Sequence, residues 1–392
     1  PMPTARRDAG TAVVGGTVYV VGGNDGAAGY ARTEAYDPAT DSWATLASLP
    51  TGRYGLGVVA VGGTIYAIGG GAGGGALSVV EAYDPATNTW TTRAAMPTAR
   101  EYLATVVIGG TIYAIGGENG TGGLTIVEAY DTATNTWTTK AGMPTAREGL
   151  SAVVVGGRIY AIGGANGGDT GVVEVYDPAT DSWTTLASMP TARSGLTVVF
   201  VNVTIYAMGG SNGGVLSTVE AYDPAADAWT TKASLPAGCE GLAAAVIGNT
   251  IYTVGGWDGS AFVSTVHAAY VTPSSLAPPP SAPPAPPLLV KVKPKSILIG
   301  PNVLDRSDPG SRLSIAARGK AGGRVTIEIF DEGVRLVRTL HLDLDGDGLA
   351  AMDLDGRDDH GKHLAYGLYW VLARDGGVSD RKQFMIVSKR KR

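Results

Sequence analysis

The sequence is poor in the residues that carry most metal and redox chemistry. Its 392 residues include four histidines and one cysteine, Cys239. A single cysteine cannot form an intramolecular disulfide, and it argues against a thiolate metal site. So few histidines give little support to a histidine-based zinc site or a Ser-His-Asp triad. We therefore predict no metal site and no cofactor.

Long apolar runs and a basic surplus are also missing. No segment approaches the roughly 18 apolar residues that span a bilayer, and no signal-peptide pattern follows Pro1. The net charge is −5, from 30 Lys and Arg against 35 Asp and Glu, which argues against nucleic acid as a partner. We expect a monomer without a membrane span, whose signal peptide lies upstream of the given chain.

Glycine, in contrast, is abundant. The chain has 58 glycines and is 44% hydrophobic, a combination typical of all-β repeat folds with many tight turns. Diglycines recur every 46 or 47 residues, beginning at Gly22, Gly69, Gly116, Gly163, Gly209 and Gly255. Six copies of one unit therefore fill about two-thirds of the chain.

Each unit follows one template. It opens with Pro-Thr-Ala-Arg or a variant, and an apolar run, a glycine turn and a strand such as Thr111 to Ile115 lead to the diglycine. A Glu-x-Tyr-Asp segment and a Trp segment follow. These runs, broken by turns, predict four antiparallel strands per unit. The first five units contain Trp43, Trp90, Trp137, Trp183 and Trp229, whereas the sixth stops after its third strand at Tyr270.

This set of motifs resembles the kelch repeat over residues 1–271. The resemblance implies a six-bladed β-propeller in which the first strand of each blade lines a central channel and the fourth lies outermost. Propellers usually close when one terminus completes the last blade, and Pro1-Met2-Pro3 aligns with the end of a fourth strand. We therefore predict that a Trp-containing strand upstream of Pro1 completes blade six.

Two charged residues recur within the template, the arginine of Pro-Thr-Ala-Arg and the glutamate of Glu-x-Tyr-Asp. Unit six lacks both and has Cys239 and His267 instead. Because losing one partner alone would leave a buried charge unpaired, this joint loss predicts an Arg–Glu pair within each other blade. The pairs would join Arg6, Arg53, Arg100, Arg147 and Arg193 to Glu34, Glu81, Glu128, Glu174 and Glu220.

Residues that differ between blades at equivalent places are the candidates for recognition. The resemblance implies that the loop entering the first strand and the loop after the diglycine surround one channel mouth. The first loop contributes Arg7, Tyr54, Glu101, Glu148, Ser194 and Glu240, and the second contributes Asn24, Asp25, Glu118, Asn119, Asn166, Asn212, Trp257 and Asp258. Such residues suit a sugar or a basic peptide, although Asn-Gly and Asp-Gly pairs are equally typical of plain turns.

The last third of the chain has a different pattern. Residues 272–293 form a proline-rich linker that favours extended geometry. In residues 294–392, alternating runs such as Val325 to Phe330 predict a small β-sandwich. Together with Asp355 to Asp358 and Gly367 to Tyr369, this segment resembles the Ig-like module of the flagellar hook-capping protein and of exported bacterial proteins. The resemblance implies a sorting, anchoring or spacer role.

We therefore predict an all-β protein, a six-bladed kelch propeller with an Ig-like β-sandwich, that is extracellular or on a bacterial cell surface. It is expected to bind an unknown protein or glycan through one propeller face and not to be an enzyme. The alternative is a carbohydrate-active kelch enzyme such as a sugar mutarotase or epimerase. Glu101, Glu148 and Glu240 would be its acid and base groups, with Arg7 as an anion holder. A structural surface-layer component is a third possibility.

Overall fold

The computed structural model describes residues 1–26 and 28–272 and, beyond them, the backbone of strands between Ile297 and Val387. The chain divides into two compact units, Pro1–Ala277 and Pro278–Arg392. The described residues contain no helix that could cross a membrane. The greater part of the predicted linker, from residue 273 onward, lies outside the described residues.

The described residues of the first unit form six antiparallel sheets of three or four strands, which we number as blades 1 to 6 in chain order, and one two-stranded ribbon. Blades 1 and 2 contain β1 (Arg7–Val14), β2 (Thr17–Asn24), β3 (Thr33–Asp37) and β4 (Ser42–Thr45), then β5 (Gly57–Val61), β6 (Thr64–Ile68), the short ribbon β7 (Gly71–Ala72) and β8 (Gly75–Ala76), β9 (Val80–Asp84) and β10 (Thr89–Thr92). Blades 3 and 4 contain β11 (Ala104–Ile108), β12 (Thr111–Ile115), β13 (Val127–Asp131) and β14 (Thr136–Lys140), then β15 (Ser151–Val155), β16 (Arg158–Ile162), β17 (Val173–Asp177) and β18 (Ser182–Leu186). Blades 5 and 6 contain β19 (Thr197–Val201), β20 (Thr204–Met208), β21 (Val219–Asp223) and β22 (Ala228–Lys232), then β23 (Ala243–Ile247), β24 (Thr250–Val254) and β25 (Val266–Tyr270).

The glycine pairs provide the backbone conformations that the blades need. Between β11 and β12, Gly109 and Gly110 have φ values of 57° and 86°, the two left-handed conformations of a type I′ hairpin turn. The diglycine has a second role, because a Cβ on Gly116 would lie 2.6 Å from the carbonyl oxygen of Arg147. Only glycine allows the next blade to approach this closely.

The blades form a closed circle. Each first strand contacts the first strand of the next blade, from β1 through β5, β11, β15 and β19 to β23, and β23 contacts β1 again. The hydrophobic core lies between neighbouring blades, where for example Tyr113 packs against Tyr176 with ring centroids 6.0 Å apart. Trp137 also joins two blades, since its indole N–H donates to the carbonyl of Ala94 at 2.9 Å. The predicted six-bladed propeller is thus confirmed.

The predicted Arg–Glu pair is present in each of blades 1 to 5. The side chains of these arginines are 0% exposed, and those of the glutamates at most 3%. Arg6 contacts Glu34, and the N–O distances are 2.6 Å for Arg53–Glu81, 2.9 Å for Arg100–Glu128, 2.7 Å for Arg147–Glu174 and 3.0 Å for Arg193–Glu220. Burial lowers the pKa of Arg100 to about 10, and Glu128 opposes that shift.

The first residues of the chain pack on blade 6, whose described sheet has three strands. The N–H of Met2 donates to the carbonyl of Ser264 at 2.7 Å, as that of Met96 does to Ser78 within blade 2 at 2.8 Å. Met2 is 3% exposed and joins the core between blades 6 and 1. Residues 1 to 3 therefore take the place that follows a fourth strand, while the predicted strand upstream of Pro1 stays a prediction.

The described strands of the second unit form two sheets. The strands are β26 (Ile297–Gly300), β27 (Val303–Asp305), β28 (Leu313–Arg318), β29 (Arg324–Phe330), β30 (Leu336–Asp343), β31 (Leu349–Leu354), β32 (Gly367–Asp375) and β33 (Val378–Val387). The first sheet has the order β26-β28-β31, and the second has the order β27-β33-β32-β29-β30. Strands occupy the segments where alternation predicted them, whereas the Ig-like arrangement remains a prediction.

Candidate functional site

A ring of backbone hydrogen bonds encircles one end of the channel. Its members stand two positions after the repeated arginine, or after Cys239 in blade 6, and we call them the neck ring: Asp8, Gly55, Tyr102, Gly149, Gly195 and Gly241. The N–H of each donates to the carbonyl of its counterpart in the preceding blade, and Asp8 closes the circle by donating to Gly241 at 2.8 Å. This ring holds the loops that lead into the six innermost strands.

Two members of the neck ring are exceptional in sequence. All six have a left-handed φ, between 52° and 60°, and four of them are glycine. Asp8 and Tyr102 adopt the same conformation at φ values of 55° and 52°, at a cost of about 1–2 kcal/mol per residue. The sequence prediction missed both residues, although their departure from a position that is otherwise glycine was a visible signal.

The two predicted loops do meet in each blade. Backbone bridges pair Glu101 with Glu118, Glu148 with Ala165, and Glu240 with Trp257. Each first-loop residue thus lies beside the residue that directly follows the diglycine. This is the placement that the resemblance to the kelch repeat implied.

A cavity of about 270 Å³, which we call the mouth cavity, opens above the neck ring. Five of the predicted residues line it, namely Arg7, Glu118, Glu148, Ser194 and Glu240. Asp8 and Tyr102 of the neck ring line it as well. Tyr54 and Glu101 lie alongside, because the ring of Tyr54 is 5.9 Å from that of Tyr102 and Glu101 interacts electrostatically with Glu118.

Among the described residues that line the mouth cavity, Arg7 is the one cationic side chain, and it contacts two carboxylates. Its guanidinium lies 2.8 Å from Glu240 and 3.2 Å from Asp8. The amide of Asn24 also donates to Asp8, at 3.1 Å. Burial nevertheless raises the pKa of Asp8 to about 6, against the opposing effects of Arg7 and Asn24. The interaction with Arg7 therefore does not offset the unfavourable desolvation of the Asp8 carboxylate.

Three further glutamates, Glu101, Glu118 and Glu148, interact with one another. The arginine among the described residues of the cavity lining, Arg7, contacts Asp8 and Glu240 instead. Burial raises the pKa of Glu148 to about 7, and the charge of Glu118 and a hydrogen bond between the two carboxyl groups add to the shift. Burial and repulsion by Glu118 also raise the pKa of Glu101, which a hydrogen bond from Tyr54 opposes. Oε2 of Glu101 is buried without a hydrogen-bond partner in the described part of the chain. The mouth therefore favours protons, and equally other cations.

The aromatic side of the mouth lies between blades 6 and 1. Trp257 is half-buried, and its ring centroid is 4.8 Å from that of Phe262. The guanidinium of Arg7 lies 5.9 Å from the same Phe262 ring. Trp257 is therefore part of a packed aromatic wall.

The other predicted residues lie outside the lining of the mouth cavity, most of them in turns on the rim, whereas Asn24 is the buried last residue of β2. The side-chain oxygen of Asn119 accepts from the N–H and hydroxyl of Thr121, and that of Asp258 accepts from Ser260 and Ala261. Asn24 accepts from the N–H of Gly26, and Asp25 accepts from the Tyr30 hydroxyl at 2.5 Å. The backbone N–H groups of Asn166 and Asn212 donate to the carbonyls of Gly168 and Gly214, both at 3.1 Å. These interactions are the turn chemistry that such residues commonly provide.

The described residues contain no group of three or more His, Cys, Asp and Glu that could hold a metal ion.

Comparison with known proteins agrees with the blade architecture. The KLHDC2/KLHL20/DRC7 Kelch-repeats domain matches the chain in three overlapping segments, residues 1–117, 50–210 and 91–256. The chain belongs to the kelch-repeat family. A kelch propeller indicates a protein-binding role in general. No curated protein matches this kelch chain.

Proposed function

We propose that this kelch protein is an exported or cell-surface binding protein, not an enzyme, that takes a ligand at the mouth of its propeller. The observation that carries the proposal is the imbalance of charge there. Five carboxylates lie in or beside the mouth cavity, and Arg7 is the one cation among the described residues that line it. The carboxylates are Asp8, Glu101, Glu118, Glu148 and Glu240.

The ligand class that fits best is a basic segment of a protein. The raised pKa values of Asp8 and Glu148 show that their negative charges are under-compensated, and a lysine or arginine would supply the missing positive charge. A partly buried setting strengthens such an interaction relative to bulk water. A carbohydrate ligand would instead use the wall of Trp257 and Phe262 and hydrogen bonds to the carboxylates.

The test is binding of the full chain to an array that contains basic, neutral and acidic peptides together with glycans. We expect basic peptides to bind, with an affinity that falls as salt is added. Glu148→Gln should weaken that binding about tenfold, as expected for the loss of one charge-assisted contact. Arg158→Ala is the matched control, since Arg158 is an exposed residue of β16 paired with Asp177. Glycan binding alone, or peptide binding unchanged in Glu148→Gln, would contradict a basic ligand.

The export part of the proposal rests on the resemblance of residues 294–392 to modules of exported bacterial proteins. Its test is labelling of intact cells with antibodies against the propeller, before and after deletion of that segment. We expect surface labelling that the deletion abolishes. Labelling seen only after lysis would show that the protein stays inside.

A sugar mutarotase or epimerase is the second candidate, and the Glu118–Glu148 pair favours it. A carboxyl group with a pKa of about 7 can give and take protons near neutral pH. NMR exchange spectroscopy of candidate sugars tests this reaction. Faster anomeric exchange that Glu148→Gln removes would favour the enzyme, whereas unchanged exchange would leave binding as the function.

A further inference from the structure

The arginine of each regular blade lies in a socket built largely from backbone carbonyls. The guanidinium of Arg100 donates to Ala114 at 3.1 Å, to Gly116 at 3.3 Å and to Ile126 at 2.8 Å, in addition to Glu128. In blade 2 the equivalent arginine also donates to the carbonyl of the residue two positions before it, at 3.2 Å. The socket therefore combines several carbonyl acceptors with one carboxylate.

Blade 6 has the corresponding backbone acceptors without the arginine, although Thr265 and His267 are exposed there, whereas Glu128 is buried in blade 3. Its register is preserved, because Thr253 pairs with His267 as Ala114 pairs with Glu128. The glycine that directly follows the second strand also keeps its backbone hydrogen bond, since Gly255 donates to Thr265 as Gly116 donates to Ile126. Cys239 replaces the arginine, and its shorter side chain leaves space.

That space is a cavity of about 210 Å³, which we call the blade-six cavity. The residues that correspond to the acceptors of the other sockets line it: Ala237, Thr253, Gly255, Thr265 and, in place of the glutamate, His267. The thiol of Cys239 donates to the carbonyl of Gly255 at 3.3 Å and lies 4.0 Å from the carbonyl of Glu240. Burial raises the pKa of this thiol to about 11, so it stays neutral and contributes no anion to a metal site.

The rest of the lining suits a cation on an apolar stem. Leu235, Leu242 and Val263 provide apolar walls, and Asp258 provides a carboxylate. Hydrogen bonds from Ser260 and Ala261 lower the pKa of Asp258, so this group is charged at neutral pH. The walls match the methylene stem of an arginine side chain, and the acceptors match its planar head, which presents five donors.

We propose that the blade-six cavity binds an alkylguanidinium group, carried either by a free small molecule or by an arginine of a protein ligand. The other five blades show what this backbone geometry holds, since a guanidinium occupies each equivalent socket. The inference does not depend on the proposed function of the mouth.

The test is calorimetric titration of the full chain with n-butylguanidine, with n-pentylamine as the matched ammonium compound. We expect saturable millimolar binding of the guanidine and at least tenfold weaker binding of the amine, which lacks the planar set of donors. Short peptides with a central Arg or Lys form a second arm. Because a basic peptide can also bind at the mouth, Arg-peptide binding counts for this cavity only if it persists in Glu148→Gln and is lost in the double variant Cys239→Arg with His267→Glu. Such binding identifies a protein ligand as a source, and binding of butylguanidine alone restricts the site to small molecules.

Variants distinguish this cavity from the mouth. The double variant Cys239→Arg with His267→Glu rebuilds the regular socket and should abolish guanidine binding. His267→Glu alone changes an exposed residue, keeps the cavity open, and should tighten binding about tenfold by adding a carboxylate partner. Asp258→Asn should weaken binding several-fold, whereas Glu148→Gln should leave it unchanged.

No saturable binding of butylguanidine in the wild-type chain would overturn the proposal. So would binding that survives the double variant in a folded protein, or binding that Glu148→Gln removes, because that ligand would then occupy the mouth. If the double variant does not fold, unchanged affinity in His267→Glu overturns the proposal by itself.

Discussion

The carboxylates of the blade interior and those of the mouth have opposite surroundings. Inside blades 1 to 5, each glutamate is buried against an arginine of its own, as Glu128 is against Arg100 at 2.9 Å. At the mouth, Arg7 alone contacts two carboxylates, Asp8 and Glu240, and Glu148 faces another glutamate. The first arrangement completes its charge balance within the fold. The second leaves a negative excess that an external cation can satisfy.

The strongest test of this difference is to remove an arginine from a blade interior. Arg100→Met would leave Glu128 buried without its cation, which typically costs about 3–5 kcal/mol. The double variant Arg100→Cys with Glu128→His imitates blade 6 and should cost less than the single variant. Urea unfolding followed by fluorescence measures both. A double variant less stable than Arg100→Met would show that the pair is not the unit of stability.

Asp8→Asn tests the mouth, and here we expect the substitution to stabilise the protein, whereas Arg100→Met should destabilise it. Asp8 has a pKa of about 6 in the folded protein and about 3.9 when unfolded. A raised carboxyl pKa contributes stability that is fully present below about pH 4 and is lost as the pH rises through about 6. The asparagine should therefore stabilise the protein at pH 8, by up to about 3 kcal/mol, and by little at pH 4. Equal stabilisation at both pH values would contradict an under-compensated Asp8.

Tyr54→Phe measures how much one hydrogen bond stabilises the charged form of a carboxylate at the mouth, that of Glu101. The hydroxyl of Tyr54 lowers the pKa of Glu101, although burial keeps that pKa above its usual range. Its loss should raise the titration midpoint of Glu101 further and cost about 1 kcal/mol above that midpoint. Carbon-detected NMR titration of the side-chain carboxyl measures the midpoint. A downward shift would mean that Tyr54 does not stabilise the charged form.

Arg158→Ala should have the smallest effect and sets the scale for the others. Arg158 and Asp177 form a surface ion pair at 3.1 Å, with side chains 58% and 30% exposed. Exposed pairs contribute about 0–1 kcal/mol, so we expect a change near the error of the urea experiment. A loss comparable to that of Arg100→Met would remove the distinction between buried and surface pairs.

Much of the fold could be predicted because the repeat carries it. The spacing of the diglycines and of the Trp segments gave the strands and their order, and the joint replacement by Cys239 and His267 indicated the Arg–Glu pairs. The site was predicted only in part. The sequence alone does not distinguish a residue that forms a turn on the rim, such as Asn119, from a residue that lines the cavity. The pKa of Glu148 depends on its distance to Glu118 in another blade, which no local pattern contains.

The neck ring changes how the repeats share stability. In a linear repeat protein, the two terminal repeats each have one free interface and need special capping sequences. Here the bond from Asp8 to Gly241 makes the first and last repeats neighbours, so the array has no end at this level. Each blade is then held from both sides, and the number of blades can change only by whole units that restore the circle. Opening the circle between any two blades would expose the faces through which those blades now pack against each other.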